Sequence, residues 1–249
     1  MSGHSKWSTI KRQKAVKDAK RGAAFTKLAK EITIAAKIGG GSVDGNFRLR
    51  LAVQKGREAN MPNSNIERAI KKGTGEGGES VNYEEVTYEG YGPAGVAVLV
   101  DIMTDNRNRA SSSIRHIFSS NGGNLGETGC VAWMFETKGV IILKPKNTDL
   151  ENAMLELIDL GSEDVTEAGE GNLEIICAPD QLETVKNGAE KQGNTILSSE
   201  ITQVPKNTVK IEDKKTAEQI FRLLDELEEN EDVQKTYANF DIPEEILNA

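Results

Sequence analysis

Positive charge is not spread evenly along this chain. Of its 31 Lys and Arg residues, 17 fall in Met1–Lys72 against 5 Asp and Glu, which leaves 14 basic and 34 acidic side chains for everything after. The first segment therefore carries a net +12 and the remainder a net −20, a polarity hidden by the whole-chain value of −8. Charge of one sign gathered on one module raises the local concentration of a polyanion and speeds encounter with it, as binding to a nucleic-acid backbone requires. At 249 residues the chain is also too long for one comfortable core, and two or three domains are expected.

Composition narrows the class. With 37% apolar and 28% charged residues the chain is too apolar to be disordered throughout, and no run approaches the roughly 18 apolar residues of a membrane span. A globular protein in water, with no membrane partner, follows. The N-terminus has charge without an apolar core segment, so a secretory signal is not expected; the reading is cytoplasmic, or organellar matrix in a eukaryote. Cys130 and Cys177 belong to no CxxC pair and read as core thiols, so no zinc site or disulfide framework is indicated. Only His4 and His116 are present to serve a metal site or a nucleophilic relay. The chain is read as a non-enzyme with no cofactor and no metal.

Residues 2–23 carry Lys6, Lys11, Arg12, Lys14, Lys17, Lys20 and Arg21 with almost no large aliphatic side chain, which predicts a mobile arm in isolation. Trp7 sits among these charges, where an indole either stacks on a base while lysines hold phosphates or docks on the protein's own surface. From Ala24 to Ile38, Phe25, Leu28, Ala29, Ile32, Ala35 and Ala36 recur at helical spacing, with Lys27, Lys30 and Lys37 pointing elsewhere and Gly39–Gly41 ending the helix. A second helix after Asn46 has Leu49, Ala52, Val53 and Gly56 on one face and Arg48, Arg50, Lys55 and Arg57 around it. In NMPNSNIERAIKKG, a turn and a capping box of Ser64 with Glu67 open a short helix bearing Lys71 and Lys72 and stopped by Gly73. Three short helices form a bundle whose basic face, with the arm, is the candidate nucleic-acid site. The segment GTGEGGES at 73–80 reads as a flexible linker.

Beyond it, VNYEEVTYEGYGPAGVAVLVDIM reads as two strands. Gly90, Gly92 and Gly95 satisfy GxGxxG, but a dinucleotide fingerprint needs a helix next and a strand follows, so this is a hairpin turn. In TDNRNRASSSIRHIF, Asp105 or Asn106 caps a helix whose first turn holds Arg107, Asn108 and Arg109. These five residues form a second candidate site, either for an anion or as an ion-pair network with Asp101 or Asp105. CVAWMFE reads as a strand with Trp133 in the core. Residues 139–204 give β-α-β-β-α-β, the ferredoxin-like order. RNA-recognition modules share that order, but no strand here has their paired aromatics, so RNA binding through this face is rejected. The tail supplies a strand, an amphipathic helix through Ile220, Leu223, Leu224 and Leu227, and a last strand. The expected fold is α+β in three parts: an arm and three-helix bundle at 1–78, a discontinuous α+β domain at 79–136 plus 206–242, and an inserted ferredoxin-like domain at 137–205.

Long stretches carry a family resemblance: GHSKW at 3–7, FTKLAKEI at 25–32, RLRLAV at 48–53, NMPNSNIERAIKKGTGE at 60–76, YEGYGPAGVAVLVD at 88–101, TDNRNR at 104–109 and GGNLGETGCVAWMF at 122–135. The chain resembles the YebC/PmpR family, which includes mitochondrial translational activators of cytochrome c oxidase. The resemblance implies a three-domain, non-enzymatic protein acting in gene expression. Bacterial members imply a DNA-binding transcriptional regulator, the mitochondrial relatives a ribosome-associated translation factor. With no recognition helix or dimer symmetry visible, the chain is expected to act as a monomer on DNA or RNA.

Overall fold

The computed structural model describes residues 19–76, 82–147, 149–169 and 171–243, with residues 19–21 and 23 described by their backbone alone. Three helices lead into two antiparallel sheets, each with helices packed on it, a mixed α+β architecture.

Helix α1 spans Ala19–Gly39, α2 Phe47–Glu58 and α3 Asn63–Thr74. α1 therefore begins before Ala24, inside the segment expected to be a free arm. Ala, Lys and Arg are strong helix formers and carry the turn without large apolar side chains, and Thr26 Oγ1 donates to Gly22 O at 3.1 Å. The expected capping box at Ser64 does not form. Pro62 is the N-cap, so Ser64 already lies inside the helix, which runs past Gly73 to Thr74 and is closed by Gly75 at φ 77°. Ile32, Leu49, Val53 and Ile66 form the bundle core together with small Ala35, Ala36, Ala52 and Ala69. The small residues let α1 and α3 approach so closely that a Cβ at Gly73 would lie 2.3 Å from Thr33 O. Gly73→Ala is accordingly expected to lower stability by about 1–3 kcal/mol through overpacking, despite alanine's better helix propensity, and a urea unfolding curve reads this directly.

The first sheet contains β1 (Glu84–Tyr91), β2 (Ala97–Thr104), β3 (Asn124–Leu125) and β9 (Val233–Ala238), in the order β3-β1-β2-β9. β1 and β2 are a hairpin in which Gly90 faces Val98, and Gly95 turns the chain at φ 75°. The GxGxxG glycines thus serve the turn. Helices α4 (Arg107–Ser120) and α7 (Lys214–Glu229) cover one face, where Ile114, Phe118, Ile220, Leu223 and Leu227 pack on Val98, Val100 and Ile102. On the opposite face, Ala97, Leu99 and Tyr237 lie beneath Val131 and Phe135 of the 126–135 segment.

That segment corrects two expectations. Residues 132–134 form a 3₁₀ turn, and Trp133 between the inward Val131 and Phe135 points out, 64% exposed, with its Nε1 donating to Cys130 O at 3.1 Å. Cys130 is only half-buried, whereas Cys177 is fully enclosed.

The second sheet holds β4 (Phe135–Lys144), β5 (Asp164–Gly169), β6 (Asn172–Cys177) and β7 (Thr195–Pro205) in the order β5-β6-β4-β7, all antiparallel. With α5 (Leu150–Ile158) and α6 (Leu182–Lys191) on one face, this is the ferredoxin-like unit. β8 (Val209–Lys210) and β10 (Phe240–Asp241) make a short parallel pair beside the first sheet. No helix among the described residues is long and apolar enough to cross a membrane.

Candidate nucleic-acid interface

The cations of the bundle divide into two groups by what they touch. The first group holds the bundle against the rest of the molecule. Lys27 Nζ donates to Glu228 O at 2.6 Å, and Lys30 Nζ donates to Glu231 O at 2.9 Å and to Asp232 Oδ1 at 2.6 Å. These acceptors lie in or just past the last turn of α7, where unpaired carbonyls and the helix dipole favour positive charge. Lys30 is only 7% exposed. On the other side of the bundle, Arg48 Nε donates to Glu31 at 2.9 Å and its Nη2 pairs with Glu85, a ladder joining α1, α2 and β1.

Between these two sets of contacts lies a cleft of about 730 Å³. Helical spacing builds its bundle wall: Ala24, Lys27, Leu28 and Glu31 recur on one face of α1, and Arg48, Leu51, Ala52 and Lys55 on one face of α2. The opposite wall is the outward side of the first sheet, with Glu85, Thr87 and Asp101.

Asp232 is the focus of the docking contacts. Burial pushes its carboxyl up, but hydrogen bonds from Lys30 and Arg109, reinforced by their charge, outweigh burial and hold it below the ordinary carboxylate range.

The second group is exposed, apart from the half-buried Lys72. Lys55, Arg57, Arg68, Lys71 and Lys72 have no hydrogen-bonding acceptor or ion-pair partner among the described residues, apart from Lys72 Nζ resting 5.9 Å from the Tyr83 ring centroid. Arg50 is intermediate: it is exposed, yet donates to Val43 O and Asp44 O and so braces the α1–α2 connection. Arg68 was not singled out from the sequence, although its spacing of three and four from Lys71 and Lys72 places all three on one side of α3. Lys6, Trp7, Lys11, Arg12, Lys14 and Lys17 lie outside the described residues, as do the side chains of Lys20 and Arg21.

The second candidate site is a capped helix start knitted by ion pairs. Asn106 is the N-cap of α4, its side chain accepting from Arg109 N at 3.0 Å, and Thr104 Oγ1 accepts from Asn106 N at 3.1 Å. Arg109 Nη2 reaches Asp105 and Asp232, each at 3.0 Å, and Arg107 Nε lies 3.6 Å from Glu84. Asn108 is exposed. Both arginines thus meet carboxylates; Asp101 is not among them, accepting instead from Thr87 Oγ1 at 2.7 Å. The sharing of Asp232 between Lys30 and Arg109 links this loop to the bundle.

Comparison with known proteins places this arrangement. A family model described as "TACO1/YebC protein N-terminal domain" matches residues 5–76, and one described as "TACO1/YebC second and third domain" matches 83–240. The chain belongs to the TACO1/YebC family. Its boundary between the two family models, at residues 76 and 83, falls where the bundle gives way to the first sheet. A protein of Syntrophobacter fumaroxidans described as a "Probable transcriptional regulatory protein" is 56% identical over 248 residues, covering 100% of this chain and 99% of its own. One of Dictyoglomus thermophilum with the same description is 52% identical over 250 residues, again covering 100% of this chain and 99% of its own. The crystal structure of a conserved hypothetical protein from Aquifex aeolicus, 49% identical, superposes with a TM-score of 0.78 over 92% of this chain and 94% of that one.

Proposed function

We propose that this TACO1/YebC-family protein is a nucleic-acid-binding regulator of gene expression, in line with relatives described as probable transcriptional regulatory proteins, and that its bundle and N-terminal residues grip phosphates. The observation that carries this reading is the division of cations described above. Lys27, Lys30 and Arg48 are engaged with the molecule's own acceptors, while Lys55, Arg57, Arg68, Lys71 and Lys72 meet none among the described residues. Exposed cations concentrated on one module of an otherwise acidic protein direct a polyanion to that module and away from the rest.

Affinity of this origin falls steeply with salt, by about 0.9 in the log–log slope per phosphate neutralised on duplex DNA. Replacing Lys55, Arg57, Arg68, Lys71 and Lys72 by Gln is therefore expected to flatten that slope by up to about 4.5 on duplex DNA and weaken binding many-fold. A salt titration on duplex DNA and on structured RNA checks this, and unchanged slopes on both would remove the bundle from the interface.

The position of the charges favours binding by shape and backbone over base readout. Lys71 and Lys72 occupy the last turn of α3, whereas helix-turn-helix proteins read bases from the N-terminal residues of their recognition helix. The second reading, a ribosome-associated translation factor, rests on that feature, and co-sedimentation of the protein with ribosomes separates it from the first.

A further inference from the structure

Between α1 and α3 the bundle surface opens into a second, smaller pocket of about 280 Å³, bounded on one side by Phe25 and Met61 and completed by Tyr83 from the approach to β1. Three cations line it, Lys30, Arg68 and Lys72. They are not equivalent. Lys30 is committed to Asp232 and Glu231 O, while Arg68 and Lys72 donate to no acceptor among the described residues. Asn65, Arg68 and Lys72 stand on successive turns of one face of α3 and give the pocket a polar cationic side; Phe25, Met61 and Tyr83 are its aromatic and apolar lining, with Lys30 Nζ and Lys72 Nζ 5.7 and 5.9 Å from the Tyr83 ring centroid.

A ligand that satisfies both sides needs a planar face and an anionic group. The volume sits near the lower limit of small-molecule sites, about 300 Å³, room for one nucleotide and not for a stacked strand. We propose that this pocket captures a single unpaired nucleotide, its base against Phe25 and Tyr83 and its phosphate on Arg68 and Lys72. The proposal rests on the nucleic-acid reading above and sharpens it: the preferred partner has a bulge, loop or single-stranded stretch next to a backbone held by the exposed cations.

Electrostatics orient the ligand the same way. Burial, then the carboxylates of Asp105, Asp232 and Glu231, raise the Tyr83 phenol above its ordinary value. Lys30 Nζ and Lys72 Nζ nevertheless lie 5.7 and 5.9 Å from the Tyr83 ring centroid, so a base against Tyr83 places its phosphate next to Lys72 and Arg68 on α3. Stacking of a base on an aromatic ring is tolerant of base identity, so the pocket recognises that a nucleotide is unpaired and not which one it is.

The test uses the full chain and blunt-ended two-strand duplexes that share one labelled strand, with its 2-aminopurine either paired or, opposite a complement one nucleotide shorter, bulged out, each made as RNA and as DNA. The wild-type protein is expected to prefer the bulged form by roughly tenfold, in line with the worth of one base–aromatic stack, and to quench the 2-aminopurine. Tyr83→Leu is expected to abolish both the preference and the quenching while duplex affinity stays, and Tyr83→Phe to retain both. Arg68→Gln weakens the bulged form more than the paired one. Lys71→Gln, on α3 but outside the pocket, weakens the two equally. The RNA and DNA arms distinguish which nucleic acid supplies the nucleotide. Equal binding of bulged and paired forms by the wild type, or a preference that survives Tyr83→Leu, overturns the pocket alone. Binding to neither form overturns the nucleic-acid reading and the pocket with it.

Discussion

Asp232→Ala is expected to lower the unfolding free energy by about 3–5 kcal/mol, the range for removing one partner of a buried ion pair. The asymmetry between its two partners sets the size. Arg109 is 49% exposed and retains Asp105, so water and that carboxylate make good its loss. Lys30 has no such recourse: its side chain is 8% exposed, and without Asp232 its ammonium keeps, among the described residues, Glu231 O and the face of the Tyr83 ring but no carboxylate. Arg109→Ala should consequently cost less than about 1 kcal/mol, as half-exposed pairs do. The double replacement Lys30→Met with Asp232→Leu should recover most of the loss, because it leaves no buried charge unpaired. Urea unfolding of these proteins together with the Lys30→Met and Asp232→Leu single variants measures this, and a double variant whose loss equals the sum of its two singles would contradict it. Linkage fixes the pH window. Asp232 has a folded pKa below its unfolded one, so its contribution is complete above the ordinary carboxylate value of about 4 and is lost as pH falls through the folded value. The gap between wild type and Asp232→Ala should stay constant from neutral pH down to about pH 5 and close in stronger acid.

The same residue shows what could and could not be read from the chain alone. Local periodicity was enough for the bundle helices, for the hairpin around Gly92 and for the β-α-β-β-α-β order, because Ile32, Leu49 or Ile141 face a core whatever lies opposite. The cap of α4 was visible to within one residue, Asp105 or Asn106, since a cap bonds within three residues; the fold assigns it to Asn106. Lys30 looked like Lys27 and Lys37, one more charge off the apolar stripe. Its burial depends on Asp232, 202 positions later, and nothing local encodes that pairing. Arg48 and Glu85 are the same case at shorter range. Ser64 misled because its spacing to Glu67 suits a capping box while Pro62 moves the helix start ahead of it. Trp133 misled because a large apolar side chain in a run of apolar residues reads as core, whereas a 3₁₀ turn breaks the strand alternation there. The cations were legible as composition and not as geometry: only the fold separates those that dock the bundle from those that meet no acceptor among the described residues, and only the fold adds Arg68.

Glu89 carries the second large expectation. A glutamate in a strand ordinarily faces water, yet this one, between Tyr88 and Gly90, is 5% exposed. Its carboxylate accepts from three backbone N–H groups of the segment that crosses the sheet: Gly129 at 2.6 Å, and Val131 and Ala132 each at 2.8 Å. Burial raises its pKa, but the three donors outweigh burial and hold it below the ordinary value. The bonds to Gly129 and Ala132 lie near solvent, where water replaces a lost acceptor; the Val131 bond is buried. Glu89→Ala is therefore expected to cost about 2–4 kcal/mol, mainly the charge-assisted bonds and one stranded donor. Glu89→Gln should cost about half as much or less, since one amide oxygen can still serve Val131 and Ala132 while the amide nitrogen turns toward the exposed Gly129. Hydrogen exchange gives the decisive reading. In Glu89→Ala the amides of Gly129, Val131 and Ala132 should lose protection together, and Leu99 and Tyr237 should become accessible as Val131 and Phe135 lift from them. Protection retained at those three amides would mean that the segment is held by its apolar contacts, with the carboxylate incidental. The pH arm runs as for Asp232: the contribution of Glu89 is present above the ordinary value of about 4.3 and disappears in acid. Acidification of the wild type should then open the 126–135 segment in the way the alanine variant is open at neutral pH.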